Sequence, residues 1–429
     1  MNFRISLFIC AITFFISCKK SEDTERPAIQ IISPVNPTSV NVFDTLHVKI
    51  HVSDNIQLES MNVRLVTTSL IGVLPSVSIP VSGKNYDADF YYVIDNYRLT
   101  SDNYYLSVDV SDGTNLSRAY CNIYVTGIPK RLNGFFAATI PAPGTLNIYK
   151  GDTSWSASLF NSFPSDFTDM AVNNYWQQVI TDGIYTGPLK AMSIDGSTTG
   201  YSLQSISGPS PYWGILSVKD SRLWVSYKAN AFIKSINQNG VVDLSLNTDL
   251  NYFPYLNLQS GNYVFSEQRD ISGANPKIVV YSTSGAGLHE TTIPFNPICM
   301  FERNADEMYV IGNNAGQGYL MIYDNTTNGF YTPIGLPAAT VNCATQIDSN
   351  TIVLGMSNGN LYRFTYNPIG LLNWASGINP NVLRYDEVND EIYTAEGSNV
   401  NVYSYNPFAL LHTIPIPETI SDLELWYNK

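Results

Sequence analysis

Five acidic residues lie on or next to short apolar runs that recur through the second half of the chain. They are Asp169, Glu302, Asp348, Asp386 and Glu424. If these runs line a common axis, the carboxylates could converge, and a carboxylate pair is what glycoside hydrolysis requires. No spacing pairs two of them for that reaction, and acids in such positions are more often solvated side chains of a channel wall. We therefore predict no catalytic residues and no enzyme.

The four histidines are poorly placed for a metal site or a general base. His47 and His51 stand four residues apart in a strand pattern, which separates them by about 13 Å. They cannot share one ion. His289 and His412 fall on what we interpret as the outermost strands of their repeats, away from any central axis.

A calcium site is conceivable at one end of the first domain. Asp54, Asp109 and Asp112 carry the oxygen ligands that calcium prefers. Aspartates in such turn clusters more often form the turns themselves. We expect the turn-forming role, with no metal and no cofactor bound.

Aromatic residues are the more informative candidates for a ligand site. Many of them fall in loops that share one face of the predicted repeats, and exposed Trp or Tyr beside polar groups suits sugar rings or protein contacts. The alternative is that the rings pack between neighbouring repeats. We predict ligand binding at Tyr185, Tyr212, Trp213, Tyr252, Tyr255 and Arg269, with Phe163 and Phe253 on the same face.

The N-terminus is typical of an exported lipoprotein. After Arg4, the apolar run 5–16 spans only about 18 Å as a helix, too short to cross a membrane. We interpret residues 1–17 as a signal peptide. Phe15-Ile16-Ser17-Cys18 resembles a lipobox, with Phe15 in place of the usual Leu, and this implies a lipid on Cys18. Residues 18–25 form a charged tether that resembles those of Bacteroidetes surface lipoproteins.

The remaining cysteines do not make a disulfide framework. Cys10 would be lost with the signal peptide, leaving Cys121, Cys299 and Cys343. Cys299 and Cys343 occupy equivalent strands of successive repeats and could lie near each other. Buried free thiols are the interpretation we prefer.

The net charge of −13 argues against nucleic acid as a partner. A phosphate backbone needs a basic stripe, and beyond Lys19 and Lys20 none is present. Charged residues make up only 14% of the chain, and Tyr occurs 29 times among many β-branched and turn-forming residues. This composition favours an all-β protein.

Residues 26–129 have the alternating pattern of a small β-sandwich. In the run 45–52, Leu46, Val48, Ile50 and Val52 share one face while the polar residues share the other. About seven such runs are separated by turn clusters. The segment resembles bacterial Ig-like modules that serve as stalks, without the Cys and Trp signature of antibody domains.

Residues 133–429 contain seven copies of a four-strand repeat. Prolines punctuate the copies at intervals of 37 to 47 residues, which matches the length of a propeller blade. The four strands of each copy can be numbered in chain order. The repeats begin at Phe135 with a strand of the second position and end at 421–426 with a strand of the first position. The last strand should therefore complete the first blade. The prolines are Pro164, Pro211, Pro254, Pro297, Pro337, Pro380 and Pro417.

The period and strand order resemble the propeller superfamily that includes quinoprotein and YVTN-type repeats. We therefore expect an Ig-like stalk and a seven-bladed β-propeller, held by lipid in the outer membrane and exposed at the cell surface. We predict that the propeller face binds a glycan or a surface protein without catalysis. The alternatives are a propeller enzyme that cleaves polysaccharide with channel carboxylates, and a structural subunit of an envelope assembly.

Overall fold

The computed structural model of the chain describes residues 23–205, 211–219 and 221–429. The predicted signal peptide, Cys18 and the first part of the tether lie outside the described residues. The chain divides into two compact units, one ending at Pro129 and one beginning at Lys130. No helix of the described ranges is long and apolar enough to cross a membrane.

The first unit consists of two sheets that share one core. Its eight described strands are β1 (Ala28–Ser33), β2 (Thr38–Asn41), β3 (Thr45–Ser53), β4 (Ser60–Thr67), β5 (Val77–Pro80), β6 (Asn85–Val93), β7 (Asp102–Ser111) and β8 (Leu116–Thr126). One sheet has the order β1-β3-β6, and the other has the order β2-β8-β7-β4-β5. Strands β2 and β8 pair in parallel.

Strand β3 shows why the sequence folds in this way. Leu46, Val48, Ile50 and Val52 are buried at every second position, as the alternation predicts. They pack in one core with residues of β4 and β7, such as Leu65. Strand β6 begins at Asn85 and pairs along the whole length of β3.

The second unit contains seven four-stranded antiparallel sheets within the described residues. Sheet 1 joins β9 (Leu132–Ala142), β10 (Thr145–Asp152) and β11 (Ala157–Pro164) to the last strand of the chain. Sheet 2 is β12 (Asp169–Asn173), β13 (Gln178–Asp182), β14 (Leu189–Ser193) and β15 (Thr199–Leu203). Sheet 3 is β16 (Trp213–Lys219), β17 (Arg222–Tyr227), β18 (Phe232–Ile236) and β19 (Val242–Asn247), with a 3-10 turn at Lys228–Asn230.

The remaining sheets follow the same order along the chain. Sheet 4 is β20 (Tyr252–Ser260), β21 (Tyr263–Asp270), β22 (Lys277–Ser282) and β23 (Gly287–Thr292). Sheet 5 is β24 (Asn296–Glu302), β25 (Glu307–Asn314), β26 (Gln317–Asp324) and β27 (Gly329–Tyr331). Sheet 6 is β28 (Val341–Asp348), β29 (Thr351–Met356), β30 (Asn360–Thr365) and β31 (Gly370–Ser376). Sheet 7 is β32 (Val382–Asp386), β33 (Glu391–Glu396), β34 (Asn399–Ser404) and β35 (Ala409–Pro415), after which comes β36 (Ile420–Tyr427).

The sheets follow one another around a closed ring. The first strand of each sheet contacts the first strands of the sheets before and after it, and β36 contacts both β32 and β12. We call β12, β16, β20, β24, β28, β32 and β36 the inner strands. Strand β36 pairs antiparallel with β9, so the end of the chain completes sheet 1. The all-β class and the β-propeller are thereby confirmed.

Two of the punctuating prolines lie inside an inner strand. Pro254 and Pro297 are within β20 and β24, each where the pairing register shifts at a bulge. A proline is tolerated there because the bulge removes the ladder bond that its missing N–H would make. Pro164 is the last residue of β11, and the other four precede an inner strand.

Candidate functional site

A central cavity of about 760 Å³ runs between the inner strands, all seven of which contribute to its wall. The wall mixes apolar residues such as Ile215, Leu258 and Met300 with polar residues such as Ser217 and Asn257. The charged residues that line it are Lys130, Asp169, Arg384, Asp422, Glu424 and Lys429. A concave surface that combines apolar area with polar and charged groups is the usual composition of a ligand site.

One side of the cavity wall holds a network of one arginine and three acids. Arg384 on β32 donates from Nη2 to Glu424 Oε1 at 2.6 Å and to Asp422 Oδ1 at 3.2 Å. Asp422 Oδ2 accepts from the N–H of Met170 on β12 at 3.1 Å. Asp169 Oδ2 accepts from the N–H of Leu216 on β16 at 2.7 Å. These carboxylates therefore tie neighbouring inner strands together.

The network is partly shielded from solvent: the side chains of Arg384, Asp422 and Glu424 are 30%, 10% and 24% exposed. Burial, and next the carboxylate of Asp422, raise the pKa of Asp169 well above its ordinary value. Burial also raises the pKa of Asp422 and Glu424, against the opposing charge of Arg384. Although burial works against the charged form, Glu424 and Asp422 raise the pKa of Arg384. The arginine therefore stays charged, and the pKa of each of the three acids is raised.

The structure brings together only part of the predicted carboxylate cluster. Asp169 and Glu424 meet through Arg384 and Asp422, but Glu302 forms an ion pair with Lys219 at 3.1 Å. The other two predicted acids are elsewhere: Asp348 is exposed, and Asp386 is fully buried and accepts from the hydroxyl of Tyr427 at 3.1 Å.

Asp422 and Arg384 were missed by sequence reasoning. Asp422 stands two residues before Glu424 on the same strand, a spacing that places both on one face, and this could have identified it. Arg384 had no comparable signal, because its partners lie on a strand 38 to 40 residues away.

A second charged cluster lies beside this network, where β13, β17 and β21 end. Asp182 accepts from the N–H of Asp169 at 3.1 Å, and Glu267 accepts from Arg269 Nε at 2.6 Å. Lys228 places its ammonium over the ring of Tyr255, at 4.1 Å from the centroid. Burial raises the pKa of Glu267 to about 7 and the pKa of Asp182 well above its ordinary value.

The predicted aromatic face is corrected by burial. Trp213 and Tyr212 are only 1% and 6% exposed, because they pack edge-on against each other and against Tyr227. Trp213 also donates from Nε1 to the carbonyl of Gly187 at 3.0 Å. The alternative, that such rings pack in the core, holds for these two residues.

The other predicted face residues are more open. Tyr185 is 43% exposed. Tyr252 and Tyr255 are half-buried. The ammonium of Lys277 lies 4.0 Å from the ring centroid of Tyr252, and that of Lys228 covers Tyr255. Phe163 is likewise covered by Lys190 at 4.0 Å, and Phe253 is half-buried. Arg269 lies 4.4 Å from the ring centroid of Tyr255.

The histidines occupy the predicted positions. His289 and His412 are on the outer strands β23 and β35. His47 pairs with Asp89 at 2.6 Å, and His51 with Asp87 at 2.7 Å, so the two rings contact different acids.

The three aspartates considered for calcium do not all meet. Asp109 forms ion pairs with Arg64 and Arg118. Asp54 and Asp112 lie instead beside Asp23, with one oxygen from each within 4.8 Å of the others. Both also accept backbone N–H groups of their own turns, which is the turn-forming role.

The described cysteines are free. Cys299 and Cys343 both line the central cavity on adjacent inner strands. Burial raises the pKa of Cys299 to about 12 and also raises the pKa of Cys343, where the thiol of Cys299 adds to the effect.

No protein-family model matches the chain, and no curated protein matches it significantly. Among solved structures, it is similar to a quinoprotein alcohol dehydrogenase-like protein from Bacteroides thetaiotaomicron, with 14% identity over 95% of this chain and 100% of that chain and a TM-score of 0.48. It is also similar to apo AztD from Citrobacter koseri, with 10% identity over 68% and 98% of the two chains and a TM-score of 0.48.

A third similar structure is the WD40 domain of Pan2 from Neurospora crassa, with 10% identity over 60% and 81% of the two chains and a TM-score of 0.47. Similarities this distant do not extend to activity or ligand.

Proposed function

We propose that this chain is a lipid-anchored binding protein that acts outside the cytoplasm, at the surface of the outer membrane, and that it catalyses no reaction. The observation that carries the proposal is the central cavity. Its wall is assembled from all seven inner strands and combines apolar, polar and charged side chains. Such a cavity suits selective binding of a ligand.

In this proposal each sheet of the second unit is one blade of a seven-bladed propeller. The pairing of β36 with β9 supports this number, because it leaves no sheet of the ring with three strands. The first unit is an Ig-like spacer between lipid and propeller, which its two sheets around one core support.

The lipid anchor is supported by the sequence Phe15-Ile16-Ser17-Cys18 and by the charged tether after it. Metabolic labelling with an alkyne fatty acid should mark the full chain and place it in the membrane fraction. Cys18→Ala should abolish both, while Cys121→Ala, a buried thiol, should alter neither. Label that persists in Cys18→Ala would exclude this anchor.

The ligand is a glycan or a surface protein, and beside the cavity we propose a second contact on the face that carries Tyr185, Tyr252 and Arg269, none of which lines the cavity. Tyr185 is exposed, and the other two residues are partly open. We expect Tyr185→Ala with Tyr252→Ala to weaken binding to a panel of glycans and cell-surface proteins. Tyr91→Ala, which removes a ring that is 70% exposed in the first unit, is the control. If the double variant binds as well as the Tyr91→Ala control, the ligand does not bind on this face.

Binding is favoured over turnover by what the cavity acids contact. Asp169 and Asp422 each accept a backbone N–H from the next inner strand, and Asp422 also accepts from Arg384. These bonds hold the ring together and occupy oxygens that a catalytic acid or base would need. Polysaccharide cleavage that Asp169→Asn abolishes without unfolding the protein would overturn the proposal.

A further inference from the structure

The charged network of the central cavity faces the space inside it. Asp169, Arg384, Asp422 and Glu424 all line the cavity. The side chains of Glu424 and Asp422 are 24% and 10% exposed. A ligand inside the cavity can therefore contact the carboxylates of the network directly.

The cavity opens to solvent at the end where the inner strands begin. Asn342 is the second residue of β28, and Asn381 directly precedes β32. Both residues line the cavity, and both are exposed. Asp169 is the first residue of β12, and Asp422 is the third residue of β36. The network therefore lies near this opening.

The hydrogen bonds of the network leave an acceptor for a ligand. Each nitrogen of Arg384 already donates within the protein: Nε and Nη2 to Glu424 Oε1, Nη2 also to Asp422, and Nη1 to the carbonyl of Leu383 at 2.9 Å. Glu424 accepts only through Oε1, so its Oε2 has no donor among the described residues. A ligand that donates hydrogen bonds suits this oxygen.

The charge of the network favours a cation. Even when Asp169, Asp422 and Glu424 share one proton, two negative charges remain against the one positive charge of Arg384. Charges without compensation in a partly shielded place are costly. A ligand cation would reduce this cost, whereas an anion would be repelled.

The two lysines of the cavity wall lie at its other end. The ammonium of Lys130 is 4.1 Å from the ring centroid of Tyr427, the last residue of β36, and it pairs with Glu387. Lys429 follows the end of the same strand. Five residues of a strand span about 17 Å, which separates Tyr427 from Asp422. The lysines therefore leave the acidic end negative.

The wall across the ring from the network offers apolar contact. Strands β20 and β24 each lie three places around the ring from β36. Leu258, Ile298 and Met300 of these strands line the cavity, and no charged residue of either strand does so within the described ranges. Asn257 lines the same wall, is only 5% exposed, and has no donor to its Oδ1 among the described residues. This wall thus lacks a donor as well.

We propose that the central cavity binds a primary ammonium group carried on an aliphatic stem. The ammonium donates to Glu424, and the stem packs along apolar side chains such as Leu258 and Met300. An ammonium group has three donors and no acceptor, and an aliphatic stem favours apolar surface. This inference rests on the proposed binding function and names the chemistry that its cavity selects. A lysine side chain of a protein ligand and a free alkylamine both have this chemistry.

The test compares three probes of equal length, butylamine, butanol and butyrate, titrated by calorimetry into the full chain in detergent, with detergent alone as the blank. Butylamine should bind, and the other two should bind at least about tenfold more weakly, because a hydrogen bond to a charged group is worth about 1.5–3 kcal/mol. A capped tripeptide with a central lysine separates the sources. If it binds as well, the ligand is a protein side chain, and if only butylamine binds, it is a free amine.

Glu424→Gln should weaken the binding of butylamine about tenfold or more, while its amide oxygen still accepts from Arg384. Glu302→Gln is the matched control and should bind as the wild type does. Glu302 is the last residue of the inner strand β24, pairs with Lys219, and does not line the cavity. Thermal unfolding of both variants shows whether a loss of binding reflects a loss of fold.

The outcomes separate this inference from the proposed function. Butanol that binds wild type as tightly as butylamine would overturn the cation, and this comparison needs no variant. Unchanged binding in Glu424→Gln would overturn the site. If butylamine does not bind but a glycan or a surface protein does, this inference fails and the binding function stands. If none of them binds, both proposals fail.

Discussion

Arg384 Nη2 donates a hydrogen bond of 2.6 Å to Glu424 Oε1, and the same atom reaches Asp422 at 3.2 Å. One cation thus serves two acids on the strand that closes the ring, with Asp169 beside them. Removing one partner of a buried ion pair costs more than the pair itself contributes, because the remaining charges lose their compensation.

Because this pair is only partly buried, we expect Arg384→Met to destabilise the protein by about 1–3 kcal/mol near neutral pH. The loss should shrink in acid, where the three carboxyls take up protons and no longer need the cation. Urea unfolding at about pH 7 and about pH 5 measures both effects. Arg131→Met, at an exposed position, is the control. A loss that is the same at both pH values would contradict this account of the network.

Glu267 should make stability depend on pH. Burial raises its pKa from 4.5 to about 7, so the folded state keeps this proton to a higher pH than the unfolded chain does. The free energy of unfolding therefore falls as the pH rises from about 4.5 to about 7, by an amount on the order of 3 kcal/mol.

Glu267→Gln should remove this fall. As the pH rises from about 5 to about 8, we expect the urea midpoint of Glu267→Gln to rise relative to that of the wild type. Glu290→Gln, which replaces a glutamate with a 66% exposed side chain, should show no such gain. Parallel pH profiles for the wild type and Glu267→Gln would show that Glu267 titrates normally.

Trp213 should behave as a core residue. It is 1% exposed, and its ring lies 4.6 Å from both Tyr212 and Tyr227. Trp213→Ala should cost about 3–5 kcal/mol, since it leaves a large cavity and frees the carbonyl of Gly187. Tyr185→Ala should change stability by less than about 0.5 kcal/mol. Thermal unfolding of the two variants measures the difference. If both variants lose little stability, Trp213 is not a core residue.

The closing strand should be necessary for stability. Leu423 on β36 is fully buried against sheet 7, with neighbours that include Tyr393 and Val402. Leu423→Ala should cost about 2–5 kcal/mol, whereas Leu411→Ala, on an outer strand and 44% exposed, should cost far less. Chemical unfolding followed by tryptophan fluorescence measures the difference. Similar midpoints would argue against closure of the ring by β36.

The cavity thiols should be unreactive until the protein unfolds. Burial raises the pKa of Cys299 to about 12 and also raises that of Cys343, so little thiolate exists near neutral pH. A chain that begins at residue 23 should react slowly with a disulfide reagent when native, and should show three thiols in urea. Fast reaction of the native chain that Cys299→Ala abolishes would contradict this prediction.

Local patterns in the sequence are sufficient to predict much of the architecture. Alternation in β3 predicted its buried face, because side chains of a strand point to opposite sides at every residue. The four-strand period predicted the propeller. The final strand has the pattern of the first strand of a repeat, and this predicted the pairing of β36 with β9. The lipid on Cys18 remains a prediction from sequence.

Tertiary structure decided which side chains share an environment. Trp213 and Tyr185 look alike as loop aromatics in sequence, yet one is in the core and the other is exposed, because burial depends on the neighbouring sheet. Arg384 meets Glu424, and Lys228 lies within the field of both Asp182 and Glu267, only because the ring brings strands from different sheets together. Such contacts leave no periodic trace in the chain, since the partners are far apart in sequence and each is an ordinary polar residue of its own strand.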